Sequence, residues 1–226
     1  MSLEIVLLSL DVLLWSSFAV AILGAFRWRN LVSSLRIFVL VKITSFSCDL
    51  GSKILVAYKI TPNHASALYQ IIELVLLLWM YYVVFNDKKI KLSFTIVGSV
   101  LTAFGIVNWL FIQKSEGNTY TFAIDSFVIL ITSLYYFYWL GFRKPKQDSQ
   151  NSNASLFWIN SGLVIYLSAT LLLLIAAEYI INVLKDDFII FWTYHNIMGI
   201  IANLFFFYGL WIGGRRETIV NPDRKL

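Results

Sequence analysis

The chain is short of nearly everything a soluble enzyme displays. Its one cysteine, Cys48, permits no disulfide within the chain and no cysteine-rich zinc site. It has two histidines, His64 and His195, and neither falls in a His-x-x-x-His or His-Glu-x-x-His pattern, so no metal site is expected. The three prolines, Pro62, Pro145 and Pro222, lie outside the apolar segments, which excludes proline kinks within them. Charged residues make up 14% of the 226 positions, where soluble domains carry about a quarter. No complete catalytic or nucleotide-binding motif occurs, so no catalytic residue or cofactor is expected and enzymatic activity is left open without being favoured.

What the chain has is apolar length. Hydrophobic residues reach 59%, and they fall into seven runs, each near the ~20 residues that cross a bilayer. The runs place helices near Leu3–Phe26, Ile37–Tyr58, Ala65–Phe85, Ser93–Ile112, Thr119–Phe142, Phe157–Ile181 and Phe188–Ile212. The expected fold class is therefore all-α, a polytopic bundle of seven transmembrane helices over residues 1–214 with a short basic tail, 215–226. Arg143–Ser155, rich in Lys, Gln, Asn and Ser, is expected to be the longest linker. His64 is expected in the loop that caps the third helix.

The placement of charge gives an expected orientation. Thirteen Lys and Arg residues follow the first, third, fifth and seventh runs, while the alternate loops hold only Lys59, Lys114 and Lys185. By the positive-inside rule the N-terminus is outside and the C-terminus cytoplasmic, in the plasma or inner membrane of a bacterium. Basic excess sorted in this way points to a lipid bilayer and not to nucleic acid. Met1–Glu4 carries an acid and no Lys or Arg, so the first helix is expected to be retained and not cleaved as a signal. The tail is too short to fold alone as a kinase or DNA-binding module, so any signal leaves through a cytoplasmic or membrane partner.

The residues that carry chemistry are those a bilayer disfavours. Asp11, Asp49, Lys53, Glu73, Asn108, Asp125, Glu178, His195 and Asn196 all fall within the runs and form the candidate ligand-binding set, because intramembrane charge is expensive and turns toward the bundle interior or water. Lys42 also lies within a run. Counted from the outer helix ends, Asp11, Asp49, Glu73, Asp125 and His195 share one depth of roughly 9–14 Å. Lys53, Asn108 and Glu178 lie nearer the mouth. Asp49 and Lys53, four apart on one helix, are expected to pair. The alternative for such groups is interhelical hydrogen bonding, the expected role of Asn160, Ser161, Ser168 and Asn203.

Two further patterns bear on function. Helices one and five each carry an acid near the outer end (Asp11, Asp125) and close on Phe-Arg, while helices three and seven begin at Tyr69-Gln70 and Tyr194-His195. A three-plus-one-plus-three repeat of this kind occurs in transporters that bind substrate between the halves. Helix seven has no lysine for a retinal Schiff base, and receptor signatures of the Asp-Arg-Tyr and Asn-Pro-x-x-Tyr types are absent.

The run Phe157-Trp158-Ile159-Asn160-Ser161-Gly162 leading to Tyr166, the Tyr69 to Glu73 segment, Leu134–Trp139, and Trp192 with His195, Asn196 and Asn203 resemble a broad group of uncharacterised bacterial seven-helix integral membrane proteins. The resemblance implies a membrane input role, here without an output domain. The expected function is a ligand-binding sensor or accessory signalling protein with a polar pocket for a small polar ligand in the outer half of the bundle. The alternatives are a small-solute or proton-coupled transporter, and an intramembrane lipid hydrolase or transferase with His195 as base.

Overall fold

A computed structural model describes residues 3–113, 118–142, 150–182 and 188–214; at 3, 150, 172, 174–182 and 188–189 it describes the backbone alone. Seven long helices and no strand occur among the described residues. They are α1 (Leu3–Arg27), α2 (Ser33–Ala57), α3 (Asn63–Val84), α4 (Lys88–Val107), α5 (Thr119–Phe142), α6 (Gln150–Asn182) and α7 (Phe188–Gly213). Six are long and apolar enough to cross a membrane, the make-up of a multi-pass integral membrane protein. The seventh, α2, carries Arg36, Lys42, Asp49 and Lys53 within its 25 residues.

Four helices, α2, α3, α4 and α6, begin earlier than the apolar runs alone indicate, and local chemistry explains two of these starts. Asp87 caps α4, its carboxylate accepting from the backbone N–H groups of Lys89 (2.8 Å) and Ile90 (3.4 Å), so the helix starts at Lys88 and not at Ser93. Much of the expected linker is helical, for α6 starts at Gln150 rather than Phe157. Ser155 is fully buried there and its hydroxyl donates to the Gly209 carbonyl of α7 at 2.7 Å. That contact requires glycine, because a Cβ at position 209 would stand 2.9 Å from the Ser155 carbonyl oxygen. His64 sits in the first turn of α3, not in the preceding loop, and its Nδ1 accepts from Trp109 Nε1 at 3.0 Å. Residues 114–117, 143–149, 183–187 and 215–226, which include much of the expected loops and the tail, lie outside the described residues.

Helix α2 ends in a tight reversal. The Ile60 N–H reaches back to the Leu55 carbonyl and the Lys59 N–H to the Val56 carbonyl, each at 2.9 Å, and this places Lys59 at φ 60. A Cβ is disfavoured in that left-handed position. Lys59→Gly is accordingly expected to raise stability by about 0.5–1 kcal/mol in a denaturant titration; a loss of stability would show that Lys59 makes a compensating contact.

Six of the helices close a ring in the order α1, α2, α3, α5, α6, α7, with α7 packed back on α1. Helix α4 stands outside it, mainly against α3. The order is the same within α1–α2–α3 and α5–α6–α7. The ring is tied by buried side chains: Asn196 Nδ2 donates to Ser9 Oγ at 2.9 Å, and Asn203 Nδ2 to Ser16 Oγ and Ser17 Oγ at 2.8 and 3.0 Å. Between α3, α5 and α6, the Tyr81 hydroxyl donates to Asn160 Oδ1 at 2.5 Å and lies 2.7 Å from Ser133 Oγ. At the end of the ring that carries Arg27, Arg36, Lys88, Lys89 and Lys91, hereafter the basic end, the Arg27 guanidinium lies 4.1 Å from the Trp211 ring centroid.

Candidate functional site

All six ring helices, and not α4, line a central cavity of about 510 Å³. It reaches the helix ends at Asn63, Asn118 and Thr119, opposite the basic end, and narrows onto Phe38, Leu77 and Phe206. One helical turn further on, the fully buried Leu35, Met80, Tyr81 and Leu210 fill the bundle, so the cavity does not continue to the basic end. Each turn deepens the position by ~5.4 Å, which explains the gradient along the walls. Glu73 is followed one turn deeper by Leu77, and Asp125 by Ile129, all four lining the cavity. Along α3 and α5, polar groups therefore lie nearer the mouth and apolar ones deeper.

Four members of the expected layer meet here. Asp49, Glu73, Asp125 and His195 line the cavity, about 9–15 Å from their helix ends at 1.5 Å per residue. Asp125 is 6% exposed, and neither carboxylate oxygen has a protein hydrogen-bond partner. The His195 Nε2 lies 3.2 Å from the Tyr166 hydroxyl and its ring stacks on Trp192. Lys42 reaches the same space, 5.3 Å from the Phe206 ring centroid, and shares the cavity wall with Glu73 and Asp49.

The remaining expected site residues lie elsewhere. Asp11 does not face the cavity; it forms an ion pair with Lys53, both side chains about half exposed on the α1–α2 side. The Asp49–Lys53 pair expected from spacing is thus replaced by an interhelical one, since Asp49 opens to the cavity. Asn108 is fully buried at the π-helical turn Asn108–Ile112 that ends α4. It binds Gln113, Asn118 and Thr121, which fastens α4 to the start of α5. Asn196 ties α7 to α1. Glu178 lies on α6, but its side chain is outside the described residues. Ser161 and Ser168 bond carbonyls of their own helix and tie nothing together, unlike Asn160 and Asn203.

Several cavity residues are absent from the sequence-based set: Lys42, Gln70, Ser126 and Tyr166. Two have a usable signal. Gln70 precedes Glu73 by three residues on one helix face, and Lys42 precedes Asp49 by two turns. No cluster of three or more His, Cys, Asp and Glu side chains suited to a metal ion occurs among the described residues.

Fold and cavity together define a helical integral membrane protein with a central cavity of mixed apolar and charged lining. Compared with protein-family models, with curated proteins and with solved structures, the chain matches none.

Proposed function

We propose that this chain is a ligand-binding membrane protein of the sensor or accessory signalling class, which takes a small polar molecule into the ring cavity from outside the cell. The single observation that carries the reading is a cavity of binding-site size whose wall holds the buried, unpartnered carboxylate of Asp125. The packed floor at Phe38 and Phe206 favours binding over passage. Occupancy would shift the ring helices against one another, and a cytoplasmic or membrane partner would read their basic ends.

This proposal includes seven spans. The charges that set α2 apart from the other helices are accommodated by the fold: Arg36 donates to the Trp28 carbonyl at the basic end, Lys42 and Asp49 line the cavity, and Lys53 meets Asp11. They do not require α2 to leave the bilayer. The basic end is then cytoplasmic, in a bacterial plasma or inner membrane. In a Cys48→Ser background, the thiol of Lys59→Cys should react with an impermeant maleimide added to intact cells, and that of Lys89→Cys only after lysis. The reverse pattern would sink the orientation.

A transporter is the second reading, favoured by the identical ring order of the α1–α3 and α5–α7 triplets. Ligand uptake into sealed proteoliposomes would favour it, and binding without uptake would favour the sensor. The hydrolase reading has least support, because His195 meets a tyrosine hydroxyl and not an orienting carboxylate.

A further inference from the structure

The wall formed by α3 and α5 is one-sided in its chemistry. Gln70 Oε1, both oxygens of Asp125 and Ser126 Oγ are buried without a protein hydrogen-bond partner, and all three residues line the cavity. Ser126 is 3% exposed and Asp125 6%. A carboxylate and an amide oxygen accept hydrogen bonds, and a serine hydroxyl accepts as well as donates. Buried acceptors of this kind are costly to leave unmatched. What they lack is a donor.

Charge points the same way. Asp49, Glu73 and Asp125 all line the cavity, and Lys42 is the only lysine or arginine among its described lining residues. Lys42 is one cation among three carboxylates and cannot balance them all, and neither oxygen of Asp125 meets a hydrogen-bond donor of the protein. Among the described residues, Asp125 therefore has no cation of its own. A bare metal ion is a poor candidate, since no metal-binding cluster occurs among those residues. Directly below the acceptors, Leu74 and Leu77 of α3 and Ile129 of α5 continue the same helix faces, with Leu163 across from them on α6. Donors are wanted above and hydrocarbon below.

We propose that the cavity binds a primary organic ammonium with an apolar or aromatic body. Its N–H groups donate to Asp125, Ser126 and Gln70, and its hydrocarbon rests on Leu77, Ile129 and Leu163. This specifies the ligand class and rests on the ligand-binding reading above. A cavity of about 510 Å³ lies within the ~300–1,000 Å³ typical of small-molecule sites.

Two measurements on the purified full chain test it. In the first, Ser126→Cys in a Cys48→Ser background is treated with aminoethyl methanethiosulfonate, a cation, and with sulfonatoethyl methanethiosulfonate, an anion of similar size. The cation should react at least about tenfold faster, and Asp125→Asn should abolish the preference, in keeping with the strength of hydrogen bonds to charged groups. In the second, 2-phenylethylammonium should bind the unaltered chain at least about tenfold more tightly than 2-phenylethanol or 3-phenylpropanoate, and Asp125→Asn should remove that margin. Asp11→Asn should leave it within about twofold, as expected for a distant exposed site. If both reagents label the introduced thiol equally, or the alcohol binds as well as the amine, the ligand class falls while an accessible cavity stands. If neither reagent labels that thiol in protein that unfolds at the normal temperature, the ligand-binding reading falls with it.

Discussion

Lys42→Met is expected to lower the stability of the detergent-solubilised protein by about 3 kcal/mol, because removing one member of a buried charge set leaves its partners uncompensated. Lys42 is 8% exposed and lies in the field of both Glu73 and Asp49. Methionine keeps most of its length against the Phe206 ring, so the loss should come from charge and not from packing. Adding Glu73→Gln should restore most of the loss, since an excess carboxylate is then gone. Fluorescence-detected unfolding of the two single variants and the double variant forms a thermodynamic cycle. Strict additivity would mean that Lys42 and Glu73 do not interact and that the cavity holds no internal charge balance.

Phe38→Ala should cost a similar amount, about 3–4 kcal/mol, in the range of large-to-small changes in packed interiors. Phe38 is 1% exposed and stands edge-on to Phe206, their ring centroids 5.0 Å apart. These rings form the floor of the cavity, so the variant also extends the cavity toward the basic end. Phe38→Leu, which retains most of the volume, should lose less than about 1.5 kcal/mol. Comparable unfolding midpoints for Phe38→Ala and the unaltered protein would show that the floor is loosely packed and that the cavity is less closed than its geometry indicates.

Depth is legible in the sequence and direction is not. Distance along a helix follows from a fixed rise per residue, so Asp49, Glu73, Asp125 and His195 can be assigned one level from the sequence alone. Which way a side chain points must come from periodicity, and in a membrane that signal is faint. A soluble helix is apolar on one face only, but here the lipid-facing side is as apolar as the core: Trp15, Leu68 and Phe127 are exposed while Leu14, Ala67 and Ile129 are buried. Asp11 and Asp125 consequently look alike in the sequence, one facing away from the cavity and the other into it. The same gap hides the true partner of Lys53. Asp49, four residues away, is visible as a neighbour, whereas Asp11 arrives only when α1 packs on α2. Helix starts are obscured for another reason. Gln150–Ser155 is polar and reads as linker, yet Ser155 gains a buried hydrogen bond to Gly209 that no local pattern announces.

The clasp between the first and last helices carries a consequence for biogenesis. Asn196 and Ser9 are 187 residues apart, as are Asn203 and Ser16, so the ring closes only after α7 has left the ribosome. Until then α1, α2, α3, α5 and α6 lack the last wall of the ring, and the cavity side that carries Asp49, Glu73 and Asp125 stands open. Closure depends on contacts 187 residues apart in sequence, the long-range kind that forms slowly. A nascent chain stalled before α7 is thus an exposed intermediate of the sort that chaperones and proteases act upon.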